Sequence, residues 1–192
     1  KLIKKAFEIS MNAHKDMRRK SGEPYIFHPL EVAQICVGEI GLGATSVICA
    51  LLHDVVEDTD MTLKDIEREF GPKVAQIIDG LTKIGGSFEQ GTSAQAENFR
   101  KMLLTLSEDV RVILIKLADR THNMRTLGSM ARNSQLKIAH ETIFIYAPLA
   151  HRLGLYKIKS ELEDLYLKYA EPEVYKDIAN KLKSTKEIGR AS

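Results

Sequence analysis

Polar residues that are costly to bury interrupt apolar stretches at three places in the chain. The first is Phe27-His28-Pro29. The second is Leu51-Leu52-His53-Asp54-Val55-Val56-Glu57-Asp58, and the third is Ile115-Lys116-Leu117-Ala118-Asp119-Arg120-Thr121-His122-Asn123. An ionised carboxylate inside an apolar helix is unfavourable unless it is paired or bound to a cation. Asp54, Glu57 and Asp58 fall at i, i+3 and i+4, which puts three carboxylates on one side of a helix. Their repulsion calls for a divalent cation or a cationic partner, and it shifts at least one carboxyl pKa upward. Asp119 follows the apolar run Val112-Ile113-Leu114-Ile115 and shares a helical face with His122 and Asn123. His28, at the mouth of another helix, completes a mixed nitrogen and oxygen set with His53, Asp54 and Asp119. Two imidazoles and two carboxylates suit a borderline divalent metal such as Mn, Fe, Co, Ni or Zn. Such a metal lowers the pKa of a water, and a carboxylate at Glu57 or Asp58 can take or order its proton. His14, His140 and His151 carry no such context and read as ordinary core or surface histidines.

The elements that must position these residues are helices. Leu2, Ile3, Ala6, Phe7, Ile9 and Ala13 recur at helical spacing. Lys15 to Glu23 is polar, contains Ser21-Gly22 and reads as a loop. Pro29 is a first-turn proline of a helix running to about Gly38. Ala44 to Glu57 is apolar nearly all round and predicts one central core helix. Thr62 with Asp65 resembles a capping box opening a short helix to Phe70, and Gly71-Pro72 starts the next, to about Ile84. Gly85 to Ser93, rich in Gly, Ser and Thr, is expected to be a mobile loop bordering the pocket. Helices are expected at about 94–106, 109–127 and 134–153, with a kink at Pro148, then from Tyr156 to Ala170 and from Pro172 onward. No strand pattern, repeat or low-complexity tract is visible, so the fold class is all-α, with about nine or ten helices.

Composition narrows the function classes. The 192 residues carry 28 basic and 26 acidic side chains, a net charge of +2. That balance argues against a protein that coats nucleic acid, though a local basic pocket for one polyphosphate fits. Cys36 and Cys49 lie in apolar helical patterns and read as buried reduced thiols. No signal peptide and no apolar run of membrane-spanning length is visible. A cytoplasmic location without membrane association is the default expectation.

The order His … His-Asp … Asp resembles the HD superfamily of metal-dependent phosphohydrolases. The words around it are more specific. Arg19-Lys20-Ser21-Gly22-Glu23-Pro24-Tyr25-Ile26-Phe27-His28-Pro29, the His53 to Thr59 segment, Lys116 to Leu127, and Ile145-Tyr146-Ala147-Pro148-Leu149-Ala150-His151-Arg152-Leu153-Gly154 resemble the hydrolase domain of the Rel/SpoT family. The resemblance implies an HD-type helical bundle that removes the 3′-pyrophosphate from ppGpp and pppGpp. The products are GDP or GTP and pyrophosphate, the cofactor is Mn²⁺, and the reaction ends the stringent-response signal. It implies His28, His53, Asp54 and Asp119 as metal ligands, and Glu57 and Asp58 as the catalytic acid pair. Arg19, Lys20, Ser21, Asn123 and Thr126 would bind the nucleotide. Arg19 and Lys20 supply charge for its phosphates, and Arg can also stack on a base. Thr121 departs from the aliphatic residue of many relatives and removes no ligand or acid. Both the His-Asp and the Glu-Asp pairs are present, which favours turnover over mere nucleotide sensing; an HD hydrolase acting on another nucleotide is the main alternative. The resemblance further implies residues 1–154 as the hydrolase domain and 155–192 as its C-terminal helices, leading toward a synthetase domain. The longer parent protein is expected to associate with the ribosome rather than with free nucleic acid.

Overall fold

The computed structural model describes residues 1–85 and 109–188, so the expected Gly85–Ser93 loop, beyond Gly85 itself, and the 94–106 helix lie outside the described residues. The described residues are helical, with no strand among them and one isolated bridge between Arg18 and Pro24. They fall into two compact units, Lys1–His122 and Asn123–Ser192.

The first unit holds α1 (Leu2–Ala13), α2 (Phe27–Ile35), α3 (Ala44–Leu52), the single turn α4 (Val55–Asp58), α5 (Leu63–Phe70), α6 (Pro72–Gly85) and most of α7 (Val110–Arg125). Its centre is α3, where Ile48, Cys49, Ala50, Leu51 and Leu52 are all buried. That helix packs on α1, α2 and α6, as expected for a segment without a polar face. The expected capping box is present: the Asp65 N–H donates to Thr62 Oγ1 and the Thr62 N–H donates to Asp65 Oδ2. Both cysteines are buried free thiols, and burial pushes each up to about 12. They are inert packing residues.

Three expected helices differ in detail. The helix over Ala44–Glu57 is not continuous: α3 stops at Leu52 and α4 starts at Val55. The cause is His53, whose ring Nδ1 bonds to the Ala50 carbonyl at 2.7 Å. That oxygen is the acceptor that the Asp54 N–H needs in an unbroken helix. Asp54 becomes the N-cap of α4 instead, its carbonyl accepting from the Glu57 and Asp58 N–H groups. The helix at Pro29 starts at Phe27 and continues past Ile35 as a π-helical turn, Cys36–Ile40, closed by Gly41 at φ 84°.

The second unit holds α8 (Arg132–Glu141), a π-helical turn (Thr142–Tyr146), α9 (Ala147–Arg152), α10 (Tyr156–Ala170) and α11 (Pro172–Ile188). The kink expected at Pro148 takes the form of this π turn directly ahead of it. Widening the helix there relieves the clash of the proline ring with the preceding turn. Helix α10 packs on α8, the π turn and α9. Arg125 clamps Glu161 with two hydrogen bonds of 2.6 and 2.7 Å. No helix among the described residues is long and apolar enough to cross a membrane.

Candidate metal centre

The break between α3 and α4 turns His53 and Asp54 toward one point. His28, from the first turn of α2, and Asp119, from α7, meet them there. The ring nitrogen of His28, that of His53 and a carboxylate oxygen of Asp119 all lie within 4.8 Å of one another. His28 Nε2 is 3.2 Å from Asp119 Oδ1, and His53 Nε2 is 3.9 Å from the same atom. Asp54 stands beside this set, with Oδ2 3.0 Å from His53 Nε2 and 3.8 Å from His28 Nε2. Bonds of ~2.0–2.2 Å to one ion place neighbouring ligand atoms roughly 3.0–3.5 Å apart; the 3.0 and 3.2 Å separations fall in that range, and those of 3.8 and 3.9 Å lie just beyond it.

The donor chemistry fits an ion as well. A carbonyl only accepts, so the His53 Nδ1 bonded to Ala50 carries one proton and its Nε2 is left for a second proton or a cation. That buried Nε2 makes no hydrogen bond within the described residues, although it faces two carboxylate oxygens. A lone pair against carboxylates is unfavourable unless a proton or a cation stands between them. His28 Nδ1 lies 2.7 Å from His122 Nδ1. A proton on the His28 nitrogen of that bond leaves its Nε2 lone pair turned to Asp54 and Asp119, and an imidazole held by its other nitrogen is the usual arrangement of a metal-ligating histidine.

The electrostatics divide the acids. Burial opposes the charge on Asp54 and on Asp119. The facing groups nevertheless hold both well below the ordinary carboxylate range, His53 chiefly for Asp54, and for Asp119 the His28 hydrogen bond and then the Lys116 charge. Burial works against the charge on His53, yet Asp54 and then Asp119 push it up to about 9. His28 goes down, by burial above all. Glu57 and Asp58, one turn beyond Asp54, go the other way. Burial raises Glu57 against the pull of Lys116, and burial followed by the Asp54 charge raises Asp58. The upward shift expected of the three-carboxylate cluster thus falls on Glu57 and Asp58, while Asp54 is held down by its histidine.

The remaining expected site residues belong to other segments of the chain. Arg19, Lys20 and Ser21 lie on the loop between α1 and α2, which is closed by Arg19 N–H to Glu23 O at 2.9 Å and by Tyr25 N–H to Met17 O at 3.0 Å. Arg19 is half-buried, and Lys20 and Ser21 are exposed. Asn123 and Thr126 belong to the second unit, at the end of α7 and just past it, both half-buried. Three residues near the centre carried no assigned role in the sequence reading. Tyr25 donates from its hydroxyl to Asp54 Oδ2 at 2.5 Å, tethering the Arg19 loop to the site. His122 holds His28, and His14 faces Asp58. Only His122 had a signal, its place three residues after Asp119.

A family model described as the HD domain matches residues 6–156. The chain belongs to the HD domain family. Among its HD relatives, a protein of Myxococcus xanthus named GTP pyrophosphokinase is 50% identical over 190 residues, which is 96% of this chain and 25% of that protein. One from Aquifex aeolicus, named guanosine-3′,5′-bis(diphosphate) 3′-pyrophosphohydrolase, is 48% identical over 184 residues, covering 96% of this chain and 26% of its own length. The bifunctional (p)ppGpp synthase/hydrolase SpoT of Escherichia coli is 48% identical over 187 residues, 97% of this chain and 26% of the relative. The chain thus spans about a quarter of the length of these curated relatives. A solved structure of a metazoan SpoT ortholog, described as hydrolysing ppGpp, superposes with a TM-score of 0.65 at 25% identity, over 87% of this chain and 94% of that one.

Proposed function

We propose that this HD domain hydrolyses the 3′-pyrophosphate of ppGpp and pppGpp, with Mn²⁺ held by His28, His53, Asp54 and Asp119. The observation that carries the reading is the convergence of two imidazole nitrogens with two carboxylates, one helical turn from the Glu57–Asp58 pair. When bound, the ion supplies Lewis acidity, which eases loss of a water proton and offsets charge on the phosphoryl oxygens. The water oxygen bonds to the phosphorus next to the 3′-oxygen, and the bond from that phosphorus to the 3′-oxygen breaks. One water proton passes to the carboxylate of Glu57 or Asp58, and the 3′-oxygen takes up a proton. GDP or GTP and pyrophosphate leave. The raised affinity of both acids for a proton suits them to this work.

Arg19, Lys20 and Ser21 bind the phosphates and base from the loop that Tyr25 tethers, and Asn123 and Thr126 contact the nucleoside. Two relatives whose names state this hydrolysis, at 48% identity across nearly the whole chain, support the substrate. We read residues 1–154 as the hydrolase domain and 155–192 as its C-terminal helices leading toward a synthetase domain. The E. coli relative, named for both activities and about four times as long, supports that reading. A cytoplasmic location belongs to the same reading. The test is a panel of guanine nucleotides and deoxynucleotides with and without a 3′-pyrophosphate. Turnover confined to the 3′-pyrophosphorylated members is expected, and equal or faster turnover of a nucleotide lacking that group would overturn the assignment.

A further inference from the structure

His14 is the C-cap residue of α1 and is almost wholly buried. Both its backbone N–H and its ring Nδ1 bond to the Ser10 carbonyl, at 3.1 and 2.9 Å. The carbonyl can only accept, so Nδ1 carries a proton and the ring orientation is set. Its other nitrogen, Nε2, is buried and makes no hydrogen bond within the described residues. A polar atom left so loses its hydration with nothing in return, and apolar residues would fill a helix end in a core without that cost. The nitrogen is aimed at Asp58, whose Oδ2 lies 3.6 Å away, an ion-pair distance just outside hydrogen-bond range. A closure of roughly 0.6 Å brings the two within ordinary hydrogen-bond reach. One face of the imidazole stacks on Tyr25, ring centres 4.7 Å apart and planes 27° from parallel. The Tyr25 hydroxyl in turn donates to Asp54.

We propose that His14 is the positioning residue for Asp58: a proton shared between its buried Nε2 and that carboxylate holds Asp58 toward the attacking water, and Tyr25 links the pair to Asp54. The inference rests on the reading of Asp58 as one of the catalytic acids. It also separates the two acids that sequence left equivalent. Among the groups that oppose the upward shift, Glu57 has Lys116 as its main neighbour, whereas Asp58 has His14. With a histidine fixed at its backbone-bonded end, Asp58 has a defined orientation. The α1 helix therefore does more than pack on α3: it supplies the fixed point against which one acid is set.

The test uses His14→Ala, His14→Gln, Asp58→Asn and the double variant His14→Ala/Asp58→Asn, with thermal unfolding as a check of folding. In the metal-free protein, ring ¹⁵N spectra assign His14 by the signal lost in the glutamine variant. Asp58→Asn is expected to move that Nε2 resonance, and an unmoved resonance overturns the contact. For ppGpp hydrolysis, His14→Ala is expected to lower kcat roughly 10- to 100-fold, the scale of a misplaced catalytic group, with KM and Mn²⁺ affinity changed less than about threefold. Glutamine, whose amide can still reach Asp58, recovers part of that loss. The double variant is expected to be no slower than Asp58→Asn alone, because two residues acting through one contact are not additive. Additive losses, or full kcat in a folded His14→Ala protein, overturn the proposal. If the wild-type chain releases no product from ppGpp, it is the substrate reading that fails, and the ring-nitrogen result still decides the His14–Asp58 contact.

Discussion

Replacing Tyr25 with Phe removes one hydroxyl and leaves the ring that packs on His14. The lost bond is the 2.5 Å donation to Asp54 Oδ2, the same oxygen that faces His53 and His28. A hydrogen bond to an ionised carboxylate contributes about 1.5–3 kcal/mol. Bonds that orient a metal ligand typically change affinity about 10- to 100-fold when removed, or roughly 1.4–2.7 kcal/mol at 1.36 kcal/mol per tenfold. The two ranges overlap, so Tyr25→Phe is expected to weaken Mn²⁺ binding about 10- to 100-fold. The stability of the metal-free chain should fall by no more than that same bond contributes, about 1.5–3 kcal/mol, because Asp54 keeps its two histidines. Isothermal titration of Mn²⁺ into the metal-free protein reads the first quantity and urea unfolding the second. Unchanged or tighter Mn²⁺ binding by a folded variant would refute the role of Asp54 as a ligand oriented by Tyr25.

Glu57→Gln and Asp58→Asn are each expected to lower kcat about 10²- to 10⁴-fold, with Mn²⁺ affinity within a few-fold of wild type; a loss of metal binding that matches the loss of rate would place them among the ligands instead. Thr62→Ala removes the capping box of α5 and should cost about 0.5–2 kcal/mol in urea unfolding. Asp109 is held below the ordinary carboxylate range by Arg111 first and then Lys73. A depressed folded pKa contributes stability that is complete above the unfolded value of ~3.9 and is lost as pH falls below it. Between about pH 5 and 2 the wild type should therefore lose on the order of 1–2 kcal/mol more stability than Asp109→Asn; parallel acid profiles would count against the ion pair.

Much of the site was legible because its cost is local. A His-Asp pair and a lone Asp inside apolar helices are anomalies that any reading of burial must explain, and the structure brings His28, His53, Asp54 and Asp119 together. The capping box at Thr62 and the boundary at Gly71-Pro72 were legible for the same reason, since each is contained within a few residues. What escaped was set by competition or by long-range pairing. The interruption after Leu52 arises because the His53 ring takes the Ala50 carbonyl from the backbone, and hydrophobic periodicity does not register such a contest. Tyr25 is 29 residues from Asp54 and His28 is 94 from His122, distances over which one sequence gives no pairing signal. His14 read as an ordinary core histidine, and it is buried as one. Only the direction of its second nitrogen marks it out.

An ion centre built on His28, His53, Asp54 and Asp119 that hydrolyses the 3′-pyrophosphate must release two products together. Its most direct test is to follow GDP and pyrophosphate together from ppGpp, with Mn²⁺, with chelator, and with His53→Ala. Equal amounts of both products are expected in Mn²⁺, none in chelator, and a loss of at least about 10²-fold in the folded variant. Release that persists in chelator, or undiminished release by His53→Ala, would contradict that role for the centre.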